Sequence, residues 1–207
     1  MSDRLQSAWQ LQQAGRLPEA ARIYADIIRS EPRNFDAFNQ LGVIYLQTGH
    51  FADADRLFTA AAQINSQSPE LFYNKGCALQ GLSRQNDALA CFARALALKP
   101  DFVEARNNRG VTLLAMKRHK EALACFDRIL ETNPKLAIVH NNRATALLEL
   151  EQPQEALAAA NAALRETPNM AEALYSRGSA LTRLGRHREA LTQFDAAVAV
   201  DPSYADA

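Results

Sequence analysis

Side-chain amides recur in this chain at a fixed interval. Gln6, Gln40, Asn74, Asn108 and Asn142 stand 34 residues apart, and Ser176 follows at the same step. The residues just before them are Leu5, Asn39, Tyr73, Asn107, Asn141 and Tyr175. A carboxamide carries two N–H donors and a carbonyl acceptor, so it can pair with a peptide backbone in both directions. Repeated evenly, such groups could hold an extended chain with little regard for its side chains. Asn is a poor helix former, so its recurrence needs a reason. Hydrogen bonds between neighbouring amides of the protein itself, or plain solvation, are the alternatives.

Other reactive side chains point away from catalysis. Of His50, His119, His140 and His187, three fall in the turns between helices, and their equivalents on successive repeats are about 10 Å apart. A metal needs its ligands at about 2 Å, so no metal site is expected. Nucleotide-binding and nucleophile-elbow motifs are missing from the sequence, and the reading is a protein without catalytic residues or cofactor. Cys91 and Cys125 are also 34 apart. Packed helices sit about 8–10 Å apart and a disulfide needs Cα atoms within about 7 Å, so these two and Cys77 are expected to be reduced, structural thiols.

What positions the amides is a repeat. Pro32, Pro100, Pro134, Pro168 and Pro202 fit one 34-residue period, with Ser66 in the missing place. Placing that proline at position 32 divides the chain into 1–34, 35–68, 69–102, 103–136, 137–170 and 171–204, one array over 1–204, with 205–207 beginning a seventh repeat. Position 20 is Ala throughout (Ala20, Ala54, Ala88, Ala122, Ala156, Ala190), and position 8 is Gly or Ala (Ala8, Gly42, Gly76, Gly110, Ala144, Gly178). Position 24 is Tyr24, Phe58, Phe92, Phe126 and Phe194, with Ala160 the exception. Small residues let two antiparallel helices approach, and the aromatic fills the space beside them. The acid at position 19 (Glu19, Asp53, Asp87, Glu121, Glu155, Glu189) opens the second helix, where the macrodipole favours negative charge. Gly15, Gly49 and Gly185 mark turns, and the proline stops the second helix.

At about 100° per residue, positions 4, 8 and 11 share one face of the first helix, and position 6 lies about 160° from position 8. The amides therefore face outward, with positions 2, 9 and 13 on the same stripe and 5 and 12 flanking it. Position 2 supplies Asp36, Glu70, Glu104 and Glu172, with Ile138 interrupting. Position 7 supplies Lys75, Arg109, Arg143 and Arg177, whose stems can lie on the edge of the core while the charge reaches water. Trp9 is read as part of an N-terminal cap, with a binding aromatic as the alternative.

These columns resemble the tetratricopeptide repeat, whose period and Leu-Gly…Tyr…Ala…Phe order appear in Phe38, Leu41-Gly42, Tyr45, Ala54, Phe58 and Ala61. The resemblance covers essentially the whole chain. It implies an all-α, right-handed superhelical solenoid of six hairpins, with first helices lining the concave face. The amide ladder is similar to that of the tetratricopeptide arrays of O-GlcNAc transferases, which grip target backbones. Asn74, Asn108 and Asn142 match it, while Gln6, Gln40 and Ser176 depart. The candidate peptide-binding set is then Asn39, Gln40, Tyr73, Asn74, Asn107, Asn108, Asn141, Asn142, Tyr175 and Ser176, rimmed by Asp36, Glu70, Glu104 and Glu172. That acidic rim would repel the acidic C-terminal tails taken by carboxylate-clamp repeats, so a neutral or basic segment is expected.

Lys+Arg and Asp+Glu both number 23, which argues against a nucleic-acid partner. No apolar run reaches 18 residues, which argues against a membrane span. Asp3 and Gln6 sit where a secretory peptide would be apolar, so the expected location is cytoplasmic. The reading is an interaction scaffold. The alternatives are the targeting segment of a larger enzyme such as a glycosyltransferase, or a self-assembling module. For the last, Leu191, Phe194 and Val198 should form an apolar edge beside Ala205-Asp206-Ala207, covered by continuing chain or by a second molecule.

Overall fold

The computed structural model describes residues 3–206. Ala207 of the expected seventh repeat lies outside them, as do Met1 and Ser2. All regular structure among the described residues is helical. Two compact units divide the chain, Met1–Ala105 and Arg106–Ala207. The first holds α1 (Asp3–Gln13), α2 (Leu17–Ser30), α3 (Phe35–Gln47), α4 (Phe51–Ile64), α5 (Pro69–Gly81) and α6 (Gln85–Leu98). The division falls inside α7 (Val103–Ala115). The second holds α8 (His119–Leu130), α9 (Ala137–Glu149), α10 (Pro153–Glu166), α11 (Ala171–Arg183) and α12 (His187–Val200), then a 3-10 turn over Pro202–Asp206.

The small-residue and aromatic columns are two halves of one contact. A Cβ placed on Gly42, Gly76, Gly110 or Gly178 would lie 2.6, 2.5, 2.6 or 2.6 Å from the ring of Phe58, Phe92, Phe126 or Phe194. Where the aromatic is replaced by Ala160, position 8 is Ala144, and both are fully buried. Phe58, Phe92 and Phe126 are likewise fully buried, each ring using the room that a glycine leaves.

Every turn inside a hairpin is closed alike. Position 15 is left-handed in all six repeats: Gly15, Gly49 and Gly185 at φ 74–76°, and Ser83, Lys117 and Glu151 at φ 57–59°. The next N–H returns to the carbonyl of position 11, as in Arg16 to Leu11 at 2.9 Å, His50 to Tyr45 at 2.8 Å and Arg118 to Leu113 at 2.9 Å. This is a Schellman closure, which satisfies carbonyls stranded at the end of the first helix. The left-handed conformation costs a side-chain-bearing residue about 1–2 kcal/mol, so three turns carry a strain that glycine avoids.

Ends of helices also differ in kind. Asn34 and Ser68 cap α3 and α5, accepting from the N–H of Ala37 at 3.0 Å and of Leu71 at 3.1 Å. Second helices begin without a side-chain cap. Instead the position-19 acid meets an arginine three residues earlier, in Arg16–Glu19, Arg84–Asp87, Arg118–Glu121 and Arg186–Glu189, at 2.5–2.7 Å. The arginine hydrogen bond holds the carboxyls of Glu19, Glu121 and Glu189 below the ordinary glutamate value.

Candidate functional site

The odd-numbered helices carry positions 5 and 6, and in the second unit these positions find each other. Asn142 Nδ2 donates to Asn107 Oδ1 at 3.0 Å, joining α9 to α7. Ser176 Oγ donates to Asn141 Oδ1 at 2.8 Å, joining α11 to α9. Both bonds run from position 6 of one repeat to position 5 of the repeat before. Asn141 and Ser176 are buried. In this unit the ladder residues bond within the protein, one of the alternatives that the sequence left open.

The first unit holds the same atoms differently. Asn39 Oδ1, the counterpart of the acceptors on Asn107 and Asn141, is buried and has no hydrogen-bond partner among the described residues. Asn74 stands 35 residues further on, the place from which Asn142 and Ser176 donate, and is half-buried on α5. A buried acceptor without a donor costs about 1–3 kcal/mol, and an incoming N–H would recover that. Asn108, on α7, is half-buried and engaged in interactions of its own.

Tyr73 and Tyr175, both half-buried, pack against neighbouring rings. The Tyr73 ring lies 5.1 Å from that of Phe102 and 6.2 Å from that of Phe92. The Tyr175 ring lies 5.4 Å from Phe194 and 5.5 Å from Tyr204. An aromatic at position 5 leans along the helix and finds the neighbouring core, which a short asparagine cannot reach. Asp36, Glu70 and Glu104 of the first unit and Glu172 of the second are exposed. Each lies in the first turn of its helix, where the macrodipole favours it.

Position-7 cations turn to the second helices instead of flanking the amides. Lys75 Nζ donates to Thr59 at 2.8 Å and lies 3.7 Å from Asp55, both on α4. Arg143 Nε pairs with Asp127 of α8 at 2.6 Å. Arg177 donates to Gln193 of α12 at 2.8 Å and to Asn161 of α10 at 3.5 Å, and burial lowers its pKa. Arg109 lies 3.8 Å from Cys125 Sγ. All three thiols are free.

Near the chain start, α1, α2 and α3 enclose a cleft of about 490 Å³ lined by Leu5, Gln6, Trp9, Tyr24, Asp36 and Gln40. Trp9 is 46% exposed there. The Tyr24 hydroxyl donates to Gln12 Oε1 at 3.0 Å, and burial, with the charge of Asp36 adding, pushes its pKa to about 12. Nothing in the residue pattern marks Tyr24 for this role. The available signal was Leu5, the one aliphatic residue in the position-5 column, which is buried. At the other end, Leu191 is 62% exposed, whereas Phe194 and Val198 are half-buried. Phe194 packs against Gly178 and Tyr175, which leaves Leu191 the most exposed of the three.

The tetratricopeptide-repeat family model matches residues 5–69, 73–137 and 141–207, nearly the full length. The chain belongs to the tetratricopeptide-repeat family. Such repeats generally mediate protein–protein interactions, and the all-α solenoid fold is theirs. No curated protein matches the sequence. Among solved structures, PilF of Pseudomonas aeruginosa aligns with a TM-score of 0.80 at 19% identity, over 96% of this chain and 90% of that one. MamA of Desulfovibrio magneticus RS-1 gives 0.75 at 23%, over 82% and 96%. YrrB, a tetratricopeptide protein with an unusual peptide-binding site, gives 0.72 at 19%, over 88% and 94%. At these identities the likeness is one of fold. No helix is long and apolar enough to cross a membrane among the described residues.

Proposed function

We propose that residues 1–204 act as one non-enzymatic tetratricopeptide scaffold that binds an extended polypeptide along its first helices. Asn39, Gln40 and Asn74 of the first unit grip the backbone. The observation that carries this reading is Asn39 Oδ1, a buried acceptor left unpartnered where two equivalents in the second unit receive a donor. A peptide N–H is the donor that such an atom lacks. The exposed acids Asp36, Glu70 and Glu104 favour a neutral or basic segment over an acidic tail. YrrB, of like fold, is a precedent for peptide binding on such a scaffold. The three free thiols suit a reducing, cytoplasmic setting.

The test is fluorescence anisotropy with a labelled library of uncharged dodecapeptides. The double variant Asn39→Ala, Asn74→Ala should bind about tenfold more weakly across the library, as expected for losing two hydrogen bonds of about 0.5–1.5 kcal/mol each. Equal binding by wild type and variant would remove the amide grip. A second reading, self-association, draws on the exposed Leu191. Light scattering over a concentration series should then show a dimer lost in Leu191→Lys, and a monomer throughout would end that reading.

A further inference from the structure

Resting on the proposed binding of an extended chain, we infer that the cleft between α1, α2 and α3 is a specificity pocket for one arginine side chain of the bound polypeptide. Its walls supply what a guanidinium uses. Trp9 lines the cleft and is 46% exposed, though tryptophan is ordinarily well buried. A cation over an indole face is attracted by the ring quadrupole, and arginine adds stacking of its planar group. Asp36 brings a carboxylate to the same cleft, able to take two parallel N–H bonds from a guanidinium. Among the described residues, the ion pairs of this unit occupy Glu19, Asp26, Asp53, Asp55 and Asp87, and Asp36 is not among them. Gln6 and Gln40 add amide carbonyls for the remaining N–H groups.

The other walls give shape without competing. The Tyr24 hydroxyl is engaged by Gln12, and Leu5 closes the side with a buried aliphatic surface that can cover the arginine stem. About 490 Å³ lies within the range of small-ligand pockets. Gln40 also connects the two sites: it lines the cleft and adjoins Asn39, whose carbonyl awaits a donor. A chain gripped at Asn39 would thus pass the pocket mouth.

Trp9 is the only tryptophan in the chain, so tryptophan emission, excited beyond the tyrosine absorption band, reports on this pocket alone. N-acetyl-arginine amide should change the emission saturably, with half-saturation in the millimolar range expected for so small a ligand. The citrulline analogue, equal in shape but uncharged, should bind at least tenfold more weakly, and Asp36→Asn should abolish the difference. In the dodecapeptides, replacing a central serine by arginine should tighten binding about fivefold or more for wild type and leave Asp36→Asn unchanged. Equal responses to arginine and citrulline, no saturable response, or a preference for N-acetyl-lysine amide would each overturn the assignment. If arginine-free peptides bind and lose affinity in the Asn39, Asn74 variant while arginine adds nothing, the pocket fails and the backbone grip stands. If arginine amide binds through Asp36 while the double variant binds peptides normally, the pocket stands and the grip fails.

Discussion

Asn39 in the first unit and Asn107 and Asn141 in the second occupy one position of one repeat, yet they live in different circumstances. In the second unit the carbonyls receive Asn142 and Ser176, and helices α7, α9 and α11 are joined side chain to side chain. In the first unit the equivalent oxygen is buried and unmatched, beside a cleft that holds an exposed tryptophan and a carboxylate. The difference teaches that a column of identical residues is not a column of identical functions. An amide bonded to its neighbour adds to the scaffold's own stability. An amide without one adds instead to whatever completes it.

The largest break in this comparison should come at Asn141. Asn141→Ala removes the acceptor of a buried hydroxyl and should cost about 1–3 kcal/mol by urea denaturation. Asn39→Ala deletes an unpartnered acceptor and should be neutral or slightly stabilising. Equal losses at the two sites would erase the distinction between the units. Next in size, Asn142→Ala should cost about 0.5–1.5 kcal/mol through the lost bond to Asn107, while Asn74→Ala changes stability little.

The turns sharpen the contrast on a smaller scale. Lys117→Gly relieves a left-handed residue, and after the greater freedom of the unfolded chain is subtracted it should gain about 0.5–1 kcal/mol. Gly49→Ala in the first unit should lose about as much, and calorimetry would record melting shifts of opposite sign. The smallest effect concerns acid. Glu121 has a folded pKa below its ordinary value, so its stabilisation is complete above the unfolded glutamate value. It fades as pH falls through the folded one. Glu121→Gln should therefore narrow the stability difference between pH 6 and pH 3, read by denaturant midpoints.

Much of this architecture was legible in the residues. Gly42 and Phe58, or Ala144 and Ala160, must share a fixed volume, and a volume constraint writes itself into residue type. So does the left-handed turn where glycine fills it. Ser83, Lys117 and Glu151 adopt the same turn without that signal, because the closing hydrogen bonds and packed helices impose it. The site was legible only in outline. Helical angles put asparagines outward, but whether an amide meets another amide depends on rotamers and on spacing between helices, which no column records. Position 7 marks the same limit: a long cation at a boundary can turn either way, and here Asp127 and Thr59 decided the direction.

Those cations carry a consequence for the order of the repeats. Lys75, Arg143 and Arg177 each reach back to position 25 of the preceding repeat, where they meet Thr59, Asp127 and Asn161. Excising residues 103–136 would place Arg143 after a repeat whose position 25 is Ala93, and the guanidinium would find a methyl group there. The repeats at 69–102, 137–170 and 171–204 thus each carry a cation matched to the repeat before, whereas Arg109 already follows Ala93 and turns to Cys125 of its own repeat, so the order of the modules matters at some junctions and is free at others.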